Sequence, residues 1–329
     1  VTVSSDPVPN AQARAVLDER ARAGGRPMHE ATVAESRAAQ YEWVPYMGAR
    51  EPLAAVEDRF IAGPTAELPV RIYRPDVGGA LPALVAFHGG CWIVGNIDLV
   101  DRPFRALAAA TGCVVVAVNY QKAPEHPFPV PLDDCHAGFR WTVEHATELG
   151  INPARVGVVG DSAGGNLAAA VCLKARDDGR PVPAVQVLIY PAVDWSLDTP
   201  SAHECADGYG LTTLDMAWSW RQYAPEASTR DDPLVSPLRA PSLVGLPPAV
   251  VVTAGFDVLR DEGIAYAERL RADGVPVAHH HYPGTIHGFW WMRAAVDECE
   301  EMLNDVAVAL RRIVDLAEAD PDVTTSTEC

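Results

Sequence analysis

The sequence predicts an α/β fold, a mostly parallel sheet flanked by helices. Three observations lead there. From Glu51 onward, short β-rich runs alternate with helical stretches. Several of these runs are almost wholly apolar, as parallel strands buried on both faces require. Three loops that follow such runs carry, in chain order, a serine, an aspartate and a histidine.

Strands are expected at 69–73, 83–87, 114–119, 156–160, 185–190, 249–253 and 277–282. Helices are expected near 99–111, 131–148, 164–177, 260–273 and 291–317. Such alternation points to a parallel sheet with helices packed on it. Two regions break the pattern. Residues 1–50 read as two helices with Pro/Gly breaks and no strand. Residues from about 194 to 235 exceed an ordinary connection and include an aromatic helical stretch at 216–223. A long segment inside an α/β domain tends to be functional or a lid. The two regions are expected to pack together as a helical cap over the carboxyl ends of the strands. That leaves 51–193 and 236–318 as the catalytic α/β unit. The polar tail 319–329 is expected to fray.

At 329 residues the chain can form one large domain, or one domain carrying an insertion. Its 48% apolar content suffices for a large core. The net charge of −18 comes without a basic patch, which argues against a nucleic-acid partner. No window reaches the roughly 18 uncharged apolar residues of a membrane span. The first residues lack the apolar run of a secretory leader, so the cytoplasm is the expected location. The cysteines at 91, 113, 135, 172, 205, 299 and 329 form no CxxC pair. A scattered, odd set fits a reducing compartment, with Cys113 and Cys172 as small buried hydrophobes.

The strongest motif is Gly160-Asp161-Ser162-Ala163-Gly164, a G-x-S-x-G between an apolar strand and a helical run. Small residues at 160 and 164 permit a sharp turn that lifts the serine hydroxyl clear of the sheet. The turn also sets it at a helix N-terminus, which favours negative charge. A serine needs a base to become a nucleophile. Asp257 and His287 each fall just past a later strand, in the order that such a serine requires. His287 would take the Ser162 proton, and Asp257 would hold the imidazole in the right tautomer. Asp261 and Glu262 sit one turn beyond Asp257 and are expected to cap or decorate the next helix.

The loop Phe87-His88-Gly89-Gly90-Cys91-Trp92 follows another strand. Its backbone N–H groups at Gly90 and Cys91, with that of Ala163, are the expected donors to an oxyanion. No cofactor and no metal are expected. The run His279-His280-His281 looks like a metal tract, but a strand sends alternate side chains to opposite faces. His126, flanked by prolines, and His136, on a helix, read as structural.

Contacts to substrate are expected from His88, Gly89 and Trp92 around the glycine loop and from Asp161 beside the nucleophile. Trp218 in the long insertion, and Phe289 and Trp290 after the histidine, complete that set. Aromatic lining suits an apolar acyl or alcohol group, although aromatic rings also fill cores. Trp195, Trp220, Tyr223 and Trp291 share this ambiguity.

Together the segments HGGCW (88–92), NYQKAPEHPFP (119–129), GDSAGGN (160–166), DPLVSPL (232–238), GFDVLRDEG (255–263) and GTIHGF (284–289) resemble the hormone-sensitive-lipase family of bacterial esterases. The resemblance runs in order across about residues 45–315. It implies an α/β-hydrolase fold with an eight-stranded sheet and a helical cap. It also implies hydrolysis of carboxylic esters, often of short acyl chains, by Ser162, Asp257 and His287, with oxyanion donors at Gly90, Cys91 and Ala163. The expected partner is a small-molecule ester, and a homodimer is compatible with the family. The chain departs from the family's HGGG at Cys91. The backbone donor survives there, but a positive φ would strain a cysteine. It also departs from YRLAPE at Gln121 and Lys122. The same triad would serve an acyltransferase, a lactonase or a deacetylase. A ligand receptor on an inactive version of the fold is disfavoured, because serine, acid and base are all present.

Overall fold

The computed structural model describes residues 8–319, so the 320–329 part of the expected tail lies outside the described residues. In chain order the elements are α1 (Ala11–Ala23), α2 (Val33–Ala39), β1 (Ala55–Ala62), β2 (Glu67–Arg74), β3 (Leu81–Phe87), α3 (Asp101–Thr111), β4 (Val114–Val118), α4 (Val130–Glu144), β5 (Ile151–Asp161) and α5 (Ala163–Asp177). They continue with β6 (Gln186–Ile189), α6 (Pro200–Glu204), α7 (Thr213–Tyr223), β7 (Ala249–Phe256), α8 (Arg260–Ala272), β8 (Val277–Ile286) and α9 (Glu298–Ala319). The sheet has eight strands in the order β1-β2-β4-β3-β5-β6-β7-β8. The β1–β2 and β2–β4 pairs are antiparallel, and every other pair is parallel.

The apolar runs form the sheet's middle because helices cover both faces. Alternate residues of each strand enter separate cores. Val85, Val116, Val158, Leu188 and Val251 face a core built with α4, α5 and α8. Leu84, Val115, Val159, Val187 and Val250 face one built with α3 and α9. The period of two along a strand thus divides one continuous hydrophobic run between two layers.

Two boundaries differ from the sequence reading. The strand β1 is absent from that reading, because five of its eight residues are exposed at the sheet edge and show no clean alternation. The last helix begins at Glu298 rather than near 291, and Phe289–Trp291 forms a separate 3₁₀ turn. Among the described residues, no helix is long and apolar enough to cross a membrane.

The N-terminal segment lies against the carboxyl-end side of the sheet. Asn10 caps α1, and its backbone N–H donates to the Gly284 carbonyl at the irregularity in the β7–β8 register near the end of β8. Farther on, the His29 backbone N–H and ring Nδ1 both meet Asp215 Oδ1, at 2.9 and 2.8 Å. Asp215 also closes a capping box at the start of α7 with Thr212. One carboxylate therefore ties the N-terminal segment to the long insertion.

The acidic pair in the first turn of α8 does more than decorate it. Asp261 accepts from the Ser201 N–H at 2.8 Å. Glu262 is fully buried, and its Oε1 accepts from the Val193 and Asp194 N–H groups at 2.7 and 3.3 Å. Burial pushes the Glu262 carboxyl well above the usual carboxylate range. A neutral acid suits this site, since a charge would lose its water without gaining a cation. Glu262→Ala strands two buried N–H groups and leaves a cavity. It is expected to lower unfolding free energy by about 3 kcal/mol in urea titrations. Glu262→Gln keeps an acceptor oxygen and should lose less than half of that. Equal stability of Glu262→Ala and the parent would contradict the assigned role.

Candidate active site

Ser162 stands at the bend between β5 and α5 with φ 55° and ψ −120°. The neighbouring glycines make that bend sterically feasible. A Cβ on Gly164 would collide with the Phe87 carbonyl of β3, and one on Gly160 would collide with the Gly164 backbone. The Ser162 N–H is tied to the Ile189 carbonyl at 2.8 Å, and its own carbonyl accepts from Asn166 in the first turn of α5. The strained backbone is thus pinned from both sides.

His287 Nε2 lies 3.0 Å from Ser162 Oγ. His287 Nδ1 lies 2.8 Å from Asp257 Oδ2. The other carboxylate oxygen, Oδ1, accepts from the Leu259 N–H at 2.9 Å, which fixes the plane of the carboxylate. With Nδ1–H donating to Asp257, Nε2 is the free acceptor that faces the serine hydroxyl. The Asp257 side chain is shut off from solvent, whereas that of His287 is 12% exposed. The Tyr190 ring packs against the imidazole at 4.7 Å and limits its swing.

Residues 90–92 all have positive φ, at 113°, 55° and 60°. The loop after β3 is therefore coiled tightly, with Ile93 and Val94 N–H groups both returning to the Gly90 carbonyl. Its base is locked from behind. The Tyr120 hydroxyl donates to the His88 carbonyl at 2.8 Å, and the His88 and Tyr120 rings stack at 4.5 Å. His88 is wholly buried, which drives its pKa down to about 3, with the Lys122 ammonium as a second cause. The neutral ring donates from Nδ1 to the Gly89 carbonyl at 2.6 Å. The Gly89 N–H in turn donates to Asp161 Oδ1 at 2.8 Å. The N–H groups of Gly90, Cys91 and Ala163 form no hydrogen bond with the described residues.

Ser162 and His287 open into a cavity of about 420 Å³. Gly90, Cys91, Val94, Asp161, Gly288, Trp291 and Met292 form its floor and near walls. The far wall comes from Met28, Ala31, Ser36, Ala39 and Trp43 of the N-terminal segment, and from Leu211 and Asp215 of the insertion. Of the seven side chains expected to meet substrate, only Asp161 lines this cavity. His88 and Gly89 sit beneath the loop they brace. Trp92 turns inward and stacks on Tyr223 at 4.5 Å with 4° between the ring planes. Trp218 packs on the small cluster of Ile93, Val94 and Ala123 behind the loop. Phe289 packs on Tyr190 and Tyr282, and Trp290 on Phe104. These rings fill cores, and Trp43 and Trp291 supply the aromatic wall. Nothing local in the sequence marks Met28, Ser36 or Trp43, because their role depends on how a remote segment folds back.

The histidine run follows strand geometry. His279 Nε2 and His281 Nδ1 both lie 2.9 Å from Thr253 Oγ1, while His280 turns toward Asp305.

A family model described as the alpha/beta hydrolase fold matches residues 84–291. The chain belongs to that family, and its motifs place it with the hormone-sensitive-lipase type. It is 45% identical to the carboxylic ester hydrolase LipN of Mycobacterium tuberculosis over 71% of this chain, a match spanning 64% of LipN's length. It is 39% identical to the esterase LipI of the same organism, over 80% of this chain and 83% of LipI. Among solved structures, the ester-hydrolase EH1AB1 from the metagenome of Lake Arreo, Spain, complexed with a bipyridine phosphonate derivative, superposes with a TM-score of 0.88. That pair is 40% identical, and the match covers 92% of this chain and 98% of the other.

Asp161 has a measurable consequence. Burial, the largest cause, raises its pKa to about 7, against the opposing pull of the Gly89 N–H and His287. Its folded pKa thus exceeds its unfolded value of 3.8. Between those values the folded chain holds a proton that the unfolded chain releases, so this group lowers stability as pH rises from about 4 to 7. Above about 7 the loss levels off. Asp161→Asn cannot titrate. The fall in unfolding free energy between pH 5 and pH 8 should therefore be smaller in Asp161→Asn than in the parent, by chemical denaturation at each pH. Identical pH slopes would contradict the raised pKa.

Proposed function

We propose that the protein is a carboxylic-ester hydrolase that cleaves short-to-medium acyl esters through a Ser162 acyl-enzyme. The observation that carries this reading is the relay Asp257–His287–Ser162, with contacts of 2.8 and 3.0 Å, opening into a cavity of about 420 Å³ with apolar and polar walls. The names of the ester-hydrolysing relatives support the same reaction class.

His287 Nε2 removes the Ser162 proton as Oγ attacks the ester carbonyl carbon. The carbonyl oxygen becomes anionic and is met by the N–H groups of Gly90, Cys91 and Ala163. Each such donor is worth on the order of 3 kcal/mol of barrier. The imidazolium formed is stabilised by Asp257 and passes its proton to the departing alcohol oxygen. Water, deprotonated by the same imidazole, then attacks the acyl-enzyme and releases the acid. Residues 8–50, the described part of the 1–50 segment, and 194–235 act as a cap on the catalytic unit of 51–193 and 236–318. The cap supplies Met28, Ala31, Trp43 and Leu211, which give an acyl or alcohol chain an apolar surface.

Ser162→Ala is expected to lower kcat for p-nitrophenyl butanoate by at least about 10⁴-fold, with the far-ultraviolet circular dichroism unchanged. A fluorophosphonate probe should label the parent at Ser162 and leave the variant unlabelled, as read by intact mass. Turnover within about tenfold of the parent in Ser162→Ala would overturn the reading.

A further inference from the structure

We infer that Cys91 is a specificity-determining residue whose side chain walls the cavity beside Ser162 and disfavours esters branched next to the carbonyl. The inference rests on the ester-hydrolase reading above.

The backbone sets the direction of this side chain. At φ 55°, Cys91 occupies a conformation that favours glycine, between Gly90 at 113° and Trp92 at 60°. A glycine there would present only backbone to the cavity. The cysteine adds a Cβ and a sulfur, and the residue is 5% exposed while lining the same cavity as Ser162 and His287.

The sulfur cannot readily withdraw. It is set against the hydroxyl of Ser219 on α7, with the Asp215 carboxylate also nearby. Ser219 is itself fully buried, and its Oγ donates to the Asp215 carbonyl at 2.6 Å. Asp215 is fixed by His29 and Thr212. The cap thus backs the cysteine from behind.

Covalent geometry places this wall close to the reacting bond. The Cys91 N–H is an oxyanion donor, so the ester carbonyl oxygen would sit about 2.9 Å from that nitrogen. The Cβ is two bonds from the same nitrogen, so it lies no more than about 5.4 Å from that oxygen. On this inference, substituents on the atom next to the carbonyl carbon meet this wall. Burial raises the Cys91 thiol to about 12, so it remains neutral and acts by its shape.

The test measures kcat/KM for p-nitrophenyl butanoate, 2-methylpropanoate and 2,2-dimethylpropanoate, keeping the alcohol constant. One methyl group in an apolar pocket is worth roughly 10–200-fold in such ratios. Cys91→Gly should raise the branched-to-linear ratio at least about tenfold over the parent, and Cys91→Ala should raise it by less. Cys91→Ser, of nearly equal size, should stay within about threefold of the parent ratio. An unchanged ratio in a folded, active Cys91→Gly protein overturns this inference alone. If Cys91→Gly fails to fold, an unchanged ratio in Cys91→Ala overturns it. A parent protein with no turnover of any ester and no fluorophosphonate labelling overturns the hydrolase reading, and this inference with it.

Discussion

Parallel strand register brings Asp257, His287 and Ser162 together. Each is the first residue beyond its strand: Ser162 after β5, Asp257 after β7 and His287 after β8. Asp161 pairs with Ile189, Ile189 with Val252, and Phe256 with Ile286. Because β5 through β8 run parallel, their carboxyl ends share one edge of the sheet, and the three side chains emerge there as neighbours. The hydrogen bonds at 2.8 and 3.0 Å follow from this register together with the loops that complete it. A slip of one residue in β7 or β8 would turn the paired side chains to the opposite face and separate the acid from its base.

Around that edge, the fold stores cost where the chemistry needs rigidity. Ser162, Cys91 and Trp92 all hold positive φ without being glycine. Such conformations persist only where surrounding structure over-determines them. Here the restraints are named bonds: Ser162 N–H to Ile189, Gly89 N–H to Asp161, and Tyr120 hydroxyl to His88. Buried carboxyls recur in this scaffolding. Asp161 holds the glycine loop, and Glu262 holds the backbone that follows β6. Neither has a cation partner among its hydrogen bonds, and burial raises both pKa values. Each works as a hydrogen-bond acceptor rather than as half of an ion pair.

Much of this was legible in the sequence, for physical reasons. The central strands are doubly buried, so they read as apolar runs such as 114–118 and 249–254. The nucleophile turn needs small residues at 160 and 164, which leaves a pattern that survives without any structure. Asp257 and His287 stand out in the sequence because each follows a clear strand. The antiparallel edge strand β1 was not legible, since exposed Glu57 and Asp58 give no burial pattern. The cavity wall was legible least of all. Trp92, Phe289 and Trp290 lie close in sequence to the residues proposed as catalytic, yet their rings point into the layers behind the site. Met28 and Trp43 lie far away in sequence and reach the cavity because the N-terminal segment folds over it. Proximity along the chain is a poor guide to which face of a loop a large ring will occupy.

The orientation of the imidazole by a buried carboxylate is the claim on which the rest stands, and one substitution addresses it directly. Asp257→Asn keeps size and hydrogen bonding but can favour the wrong imidazole tautomer, leaving Nε2 protonated and unable to accept from Ser162. Steady-state kinetics of the purified variant on a short-chain aryl ester, alongside its thermal unfolding, gives the answer. A fall in kcat of about 10⁴-fold near neutral pH, with the unfolding midpoint little changed, is the expected result. A folded variant that retains kcat within about tenfold would show that the hydroxyl is activated by some other route.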